Sequence, residues 1–68
     1  MRYAVVYEQA PRNWAAYVPD LPGCVATGRT PAVVQRRIRE AIELHLDALR
    51  ARGENVPEMS ATVEVVEV

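Results

Sequence analysis

The opening "RYAVVYE", Arg2 to Glu8, is β-branched or aromatic at most positions, which favours an extended strand over a helix. "QAPRN" follows, with Pro11 placed to open a turn and Asn13 suited to close it. Trp14 to Val18, "WAAYV", then predicts a second short strand and so a hairpin. In "YVPDLPGC", Pro19 and Pro22 have no N–H to give to a sheet ladder, so pairing must stop there. Val18 and Leu21 each precede a proline and are pushed towards extended geometry, while Gly23 supplies a bend at little steric cost. With Cys24, these residues make a preset corner that has little freedom left to lose on folding. "CVATG", Cys24 to Gly28, is a third strand returning beside the second.

The period then changes. Thr30-Pro31 pairs a capping hydroxyl with a proline suited to the first helical position. Val34, Ile38, Ala41, Ile42, His45, Leu46 and Leu49 recur at intervals of three and four, forming one apolar stripe. The helix is expected to run to about Arg52, with Gly53 as its stop. Arg36–Glu40 and Arg39–Glu43 are spaced as exposed pairs, each worth about 0.2–0.5 kcal/mol. "ENVPEMS" reads as a loop, and "ATVEVVEV", Ala61 to Val68, as a last strand.

The order β-β-β-α-β predicts one α+β domain over residues 1–68. A right-handed crossover through the helix would lay the last strand beside the first. The expected sheet order is 3-2-1-4, with the helix on one face. The first two strands are apolar on both faces: Tyr3, Val5 and Tyr7 oppose Ala4 and Val6, and Trp14, Ala16 and Val18 oppose Ala15 and Tyr17. One helix covers only one face of a sheet. A partner chain is implied, so a homodimer or homotetramer is expected.

Size sharpens this expectation. A chain of 68 residues buries only about 60% of the surface that its unfolded form exposes. With one cysteine and one histidine, neither a disulfide framework nor a Cys/His zinc site can assemble within a single chain. The net charge of -1 offers no field to attract nucleic acid. No apolar run approaches the ~20 residues that span a bilayer, and Met1-Arg2-Tyr3 opens no signal-peptide core. A cytoplasmic protein with a reduced thiol is expected. Every basic residue is arginine.

Candidate chemistry is sparse. Asp20, in the stiff loop, is expected to accept hydrogen bonds from backbone N–H groups of its turn. Two-metal sites need several converging carboxylates, and the strands offer only Glu8, Glu64 and Glu67. Cys24 opens an apolar strand and reads as a buried, inert thiol. His45 lies on the helix stripe and reads as a core-edge residue. Arg36, Arg37 and Arg39 read as a solvated face, and Leu44 as an exposed apolar residue off the stripe. There is no P-loop, GxGxxG, HExxH or CxxC pair, so no catalytic residue, metal or cofactor is expected. The chain reads as a binding module.

A hairpin ending in "YVPDLPGC", the strand close "VATGRT" and the helix segment "IREAIELHLDAL" together resemble the HicB family of antitoxins. The resemblance covers Arg2 to Val68, and Pro19 to Cys24 is its most specific part. It implies a truncated RNase H-like fold and protein–protein neutralisation of a HicA-type toxin, a small basic mRNA-cleaving protein. The residues expected to meet such a partner are Asp20, Glu54 and Glu58 in loops, Leu21, and Trp14 or Tyr17 as an aromatic anchor. Full-length relatives carry a C-terminal DNA-binding domain that would begin after Val68, so DNA binding by this chain alone is not expected. "TPAV" stands where relatives often read Thr-Leu-Glu-Glu, which removes acidic residues from the helix start. The alternative is a solitary HicB-like oligomer that binds another protein or a small ligand without catalysis.

Overall fold

The computed structural model describes residues 1–68. Strands β1 (Val6–Gln9), β2 (Trp14–Tyr17) and β3 (Val25–Gly28) form an antiparallel sheet in the order β1-β2-β3, and helix α1 spans Pro31–Ala51. The register pairs Val6 with Tyr17 and Tyr17 with Val25, then Tyr7 with Ala16 and Ala16 with Ala26. Side chains alternate between faces, so Tyr7, Ala16 and Ala26 share the helix side of the sheet. Val6, Tyr17 and Val25 share the other. The core lies between sheet and helix and consists of Ala16, Val18, Leu21, Cys24, Val34, Ile38 and Leu46.

The helix ends are set as the sequence predicts. Thr30 has extended backbone angles (φ -131°, ψ 159°), and its hydroxyl accepts from the Val33 N–H at 3.2 Å. At the far end Gly53 has φ +69°, its N–H reaches the Arg50 carbonyl at 3.0 Å, and the Glu54 N–H reaches Leu49 at 2.9 Å. These paired bonds are those of a Schellman cap. The expected stripe is also there, with Val34, Ile38 and Leu46 buried and Ala41, Ile42, His45 and Leu49 half-buried. The expected Arg36–Glu40 and Arg39–Glu43 pairs are not formed. The ion pairs present are Asp47–Arg50 at 3.7 Å and Arg52–Glu54 at 2.8 Å. Solvated pairs gain too little to fix long side chains in one geometry.

Two strand expectations change. The first strand is shorter than Arg2 to Glu8, because pairing begins only at Val6 opposite Tyr17. Continuing that register would set Ala4 against Pro19, which has no N–H to offer. The second change is larger: Ala61 to Val68 forms no strand, and the sheet has three strands rather than the expected order 3-2-1-4. Two contacts explain the path. The Tyr3 hydroxyl donates to the Pro57 carbonyl, and Asp20 holds Ser60 and Ala61. Together they carry the chain past the strand ends rather than along β1.

Candidate interaction site

The stiff loop is a double turn. The Leu21 N–H donates to the Val18 carbonyl at 3.1 Å, and the Cys24 N–H to the Leu21 carbonyl at 3.0 Å. Each turn carries proline at its second position, and the second has Gly23 at φ +83°, the arrangement of a type II turn. The Val18 N–H closes the corner on the Cys24 carbonyl at 3.1 Å. Leu21, between the two turns, is fully buried and pins the corner to the core. Any surface that this loop offers to another molecule is therefore made by its neighbours.

Asp20 points out of the same corner and acts at long range. Its Oδ1 accepts from the Ser60 hydroxyl at 2.7 Å, and its Oδ2 from the Ser60 and Ala61 N–H groups at 3.0 and 3.1 Å. The carboxylate accepts backbone N–H groups, as the sequence predicts of this residue type, but they belong to a segment 40 residues away rather than to its own turn. The Ser60 hydroxyl first, then the two backbone donors, hold the Asp20 carboxyl below its ordinary range. Cys24 is buried, and desolvation pushes its thiol up, away from the reactive thiolate.

Two surfaces remain uncovered. The first is the helix-free face of the sheet, where Val6 is half-buried while Tyr17 and Val25 are 41% and 63% exposed. The second is an open groove of about 890 Å³ between the start of the chain and α1. Tyr3, Val5 and Tyr7 form one wall and Ile38, Ile42 and Leu46 the other. Arg2, Arg36, Arg39 and Glu43 supply its charge. The groove exists because α1 packs on β3 and β2 and leaves β1 uncovered.

The residues expected to meet a partner do not gather in one patch. Trp14 is half-buried on the helix side, whereas Tyr17 stands on the helix-free side. Glu54 is paired with Arg52, and Glu58 runs beside Met1, Arg2 and Tyr3. Sequence reasoning missed the groove, since no local pattern reveals which strands a helix will cross. It also passed over Gly28 as a packing site. A Cβ there would lie 2.9 Å from both the Val33 side chain and the Val34 nitrogen. The signal was a glycine at the strand end directly before a helix start.

The small sheet thus has one face packed on the helix, one face open and an open groove along its β1 edge. The model of the HicB-like antitoxins of bacterial toxin–antitoxin systems matches residues 3–67, nearly the whole chain, and the protein belongs to that family. It is 44% identical over 46 residues to a UPF0150 protein of Helicobacter pylori, covering 68% of this chain and 64% of that protein. A UPF0150 protein of Thermoplasma acidophilum is 31% identical over 62 residues, covering 90% of each. A 14.9 kDa protein from the rep-hol intergenic region of Haemophilus phage HP1 is 30% identical over 57 residues. That match covers 84% of this chain and 43% of the phage protein, so the chain spans less than half of it. No solved structure matches. No helix is long and apolar enough to cross a membrane.

Proposed function

We propose that this protein is an antitoxin module that neutralises a HicA-type toxin, an mRNA-cleaving protein, by covering it rather than by catalysis. Family membership supports the toxin–antitoxin role. The observation that carries the mode of action is the helix-free sheet face, where Val6, Tyr17 and Val25 form one cross-strand row with Tyr17 and Val25 open to solvent. A row of this kind, centred on an aromatic residue, has the composition of an interface core. Tyr17 is the anchor in this reading, and the three-stranded sheet supplies a rigid support for it.

The test is copurification of the protein with a small basic toxin encoded beside it, together with growth rescue when the two are co-expressed. Tyr17→Ala should weaken the complex by at least tenfold while leaving the melting temperature within a few degrees. A complex unaffected by both Tyr17→Ala and Val25→Asp would remove the helix-free face from the reading. Failure of the wild-type protein to rescue growth would remove the toxin.

A further inference from the structure

Residues 62–68 are built as a strand and have nothing to pair with. Thr62, Val63, Val65, Val66 and Val68 are β-branched. The valines at 63, 65, 66 and 68 are 64%, 93%, 65% and 120% exposed. The backbone from Thr62 onward makes no hydrogen bond within the chain. The molecule as a whole is extended. The radius of gyration is 13.0 Å and the longest extent 41 Å, against roughly 11 Å expected for the radius of a compact domain of this length.

The same molecule has a vacant place of matching chemistry. The outer edge of β1 is unpaired, and the groove beside it has an apolar wall on each side. Arg2, Arg36 and Arg39 stand around it with one carboxylate, Glu43. The tail carries Glu64 and Glu67 and no basic residue. In an extended tail Val63, Val65 and Glu67 fall on one face, and Thr62, Glu64, Val66 and Val68 on the other. At about 3.3 Å per residue the tail reaches roughly 23 Å, the same as the extended stretch from Tyr3 to Gln9.

The tail does not enter the groove of its own chain. Pro57 is held beside Tyr3 on the β1 side, but Ser60 and Ala61 are held by Asp20 in the β2–β3 corner. The chain has thus already crossed the strand ends, away from the outer edge of β1. Returning would need a tight reversal at residues 61–63, where Ala-Thr-Val offers none of the Gly, Pro, Asn or Asp that such turns use.

We propose that residues 62–68 of one copy add as an edge strand to β1 of a second copy, and that the exchange is reciprocal in a twofold dimer. Val63 and Val65 enter the β1–α1 groove, and Glu67 meets its arginines. Val66 and Val68 extend the apolar row of Val6, Tyr17 and Val25 on the opposite face. Asp20 is the positioning residue that aims the tail outward.

Light scattering and sedimentation on three versions test this: the full chain, a chain truncated after Ala61, and the full-length double variant Val63→Glu/Val65→Glu. The full chain should be a dimer at tens of micromolar. The double variant, whose changes lie only in the exposed tail, should raise the dimer dissociation constant at least tenfold with an unchanged circular dichroism spectrum. The truncated chain should be monomeric. A photo-cross-linker at position 65, in a mixture of ¹⁴N- and ¹⁵N-labelled protein, should join peptides of mixed isotope content to residues 3–9 or 38–46. A monomeric full chain, a dimer that survives the double variant, or cross-links with no mixed-isotope fraction would each overturn the proposal.

Discussion

The two edges of one small sheet are finished in opposite ways. At the β3 edge the chain closes on itself. Gly28 lets the strand end approach the first turn of α1 to a distance that no side chain would permit, and Arg37 of α1 donates to the Thr27 carbonyl at 3.0 Å. At the β1 edge nothing comparable happens. The helix does not reach it, Tyr7 stays 40% exposed, and the groove beneath is open. The contrast shows that one 21-residue helix, tied to β3 by a two-residue link, can seal only the strands nearest its start. Stability is therefore concentrated in β2, β3, α1 and the corner joining them. The β1 edge is left unpaired and uncovered.

The strongest way to break this contrast is to hollow out the sealed side. Leu21→Ala removes a fully buried side chain that both turns of the corner enclose, and the loss should be about 2–5 kcal/mol, read by chemical denaturation. A loss under 0.5 kcal/mol would show that the corner is not part of the core. Next in size is Gly28→Ala, whose added Cβ meets backbone at 2.9 Å. The expected loss is about 1–3 kcal/mol. The matching change across the sheet, Tyr7→Ser, should leave the stability of the monomer nearly unchanged. If the two substitutions cost the same, the edges are not different in kind.

Gly23→Ala should lower stability by about 1–2 kcal/mol. Nothing lies within 4 Å of the added methyl, so the loss would come from the positive φ alone. An unaltered melting temperature would show that the corner relaxes freely. The smallest effect concerns the Asp20 clamp. Because hydrogen bonds lower this carboxyl below its ordinary value of 3.8, its contribution to folding is complete above that value. It is lost as pH falls through the lower, folded-state value. The amide signals of Ser60 and Ala61 should therefore titrate together below pH 3.8 in an NMR acid series. A midpoint at or above that value would mean that the clamp is not formed in solution.

Most local structure is legible in the sequence, because its causes are local. Proline and glycine set the corner from Pro19 to Gly23, threonine and proline start the helix, Gly53 ends it, and the three-and-four spacing picks out the stripe from Val34 to Leu49. The burial of Cys24 and the apolar character of both faces of β2 can be read the same way. The sequence also marks Asp20 as an acceptor of backbone donors, though not of which ones.

Only the tertiary structure decides where the far ends of the chain meet. The side chain of Asp20 is short and would bond any nearby N–H, so its choice of Ser60 and Ala61 depends on the path that α1 gives to the returning chain. That path turns "ATVEVVEV" from an expected fourth strand into an exposed tail. Strand propensity states that a segment will extend, but a strand exists only when another backbone lies beside it to complete its hydrogen bonds. Whether that neighbour is β1 of the same chain or of another is a matter of geometry across the whole fold, which no pattern within eight residues can encode.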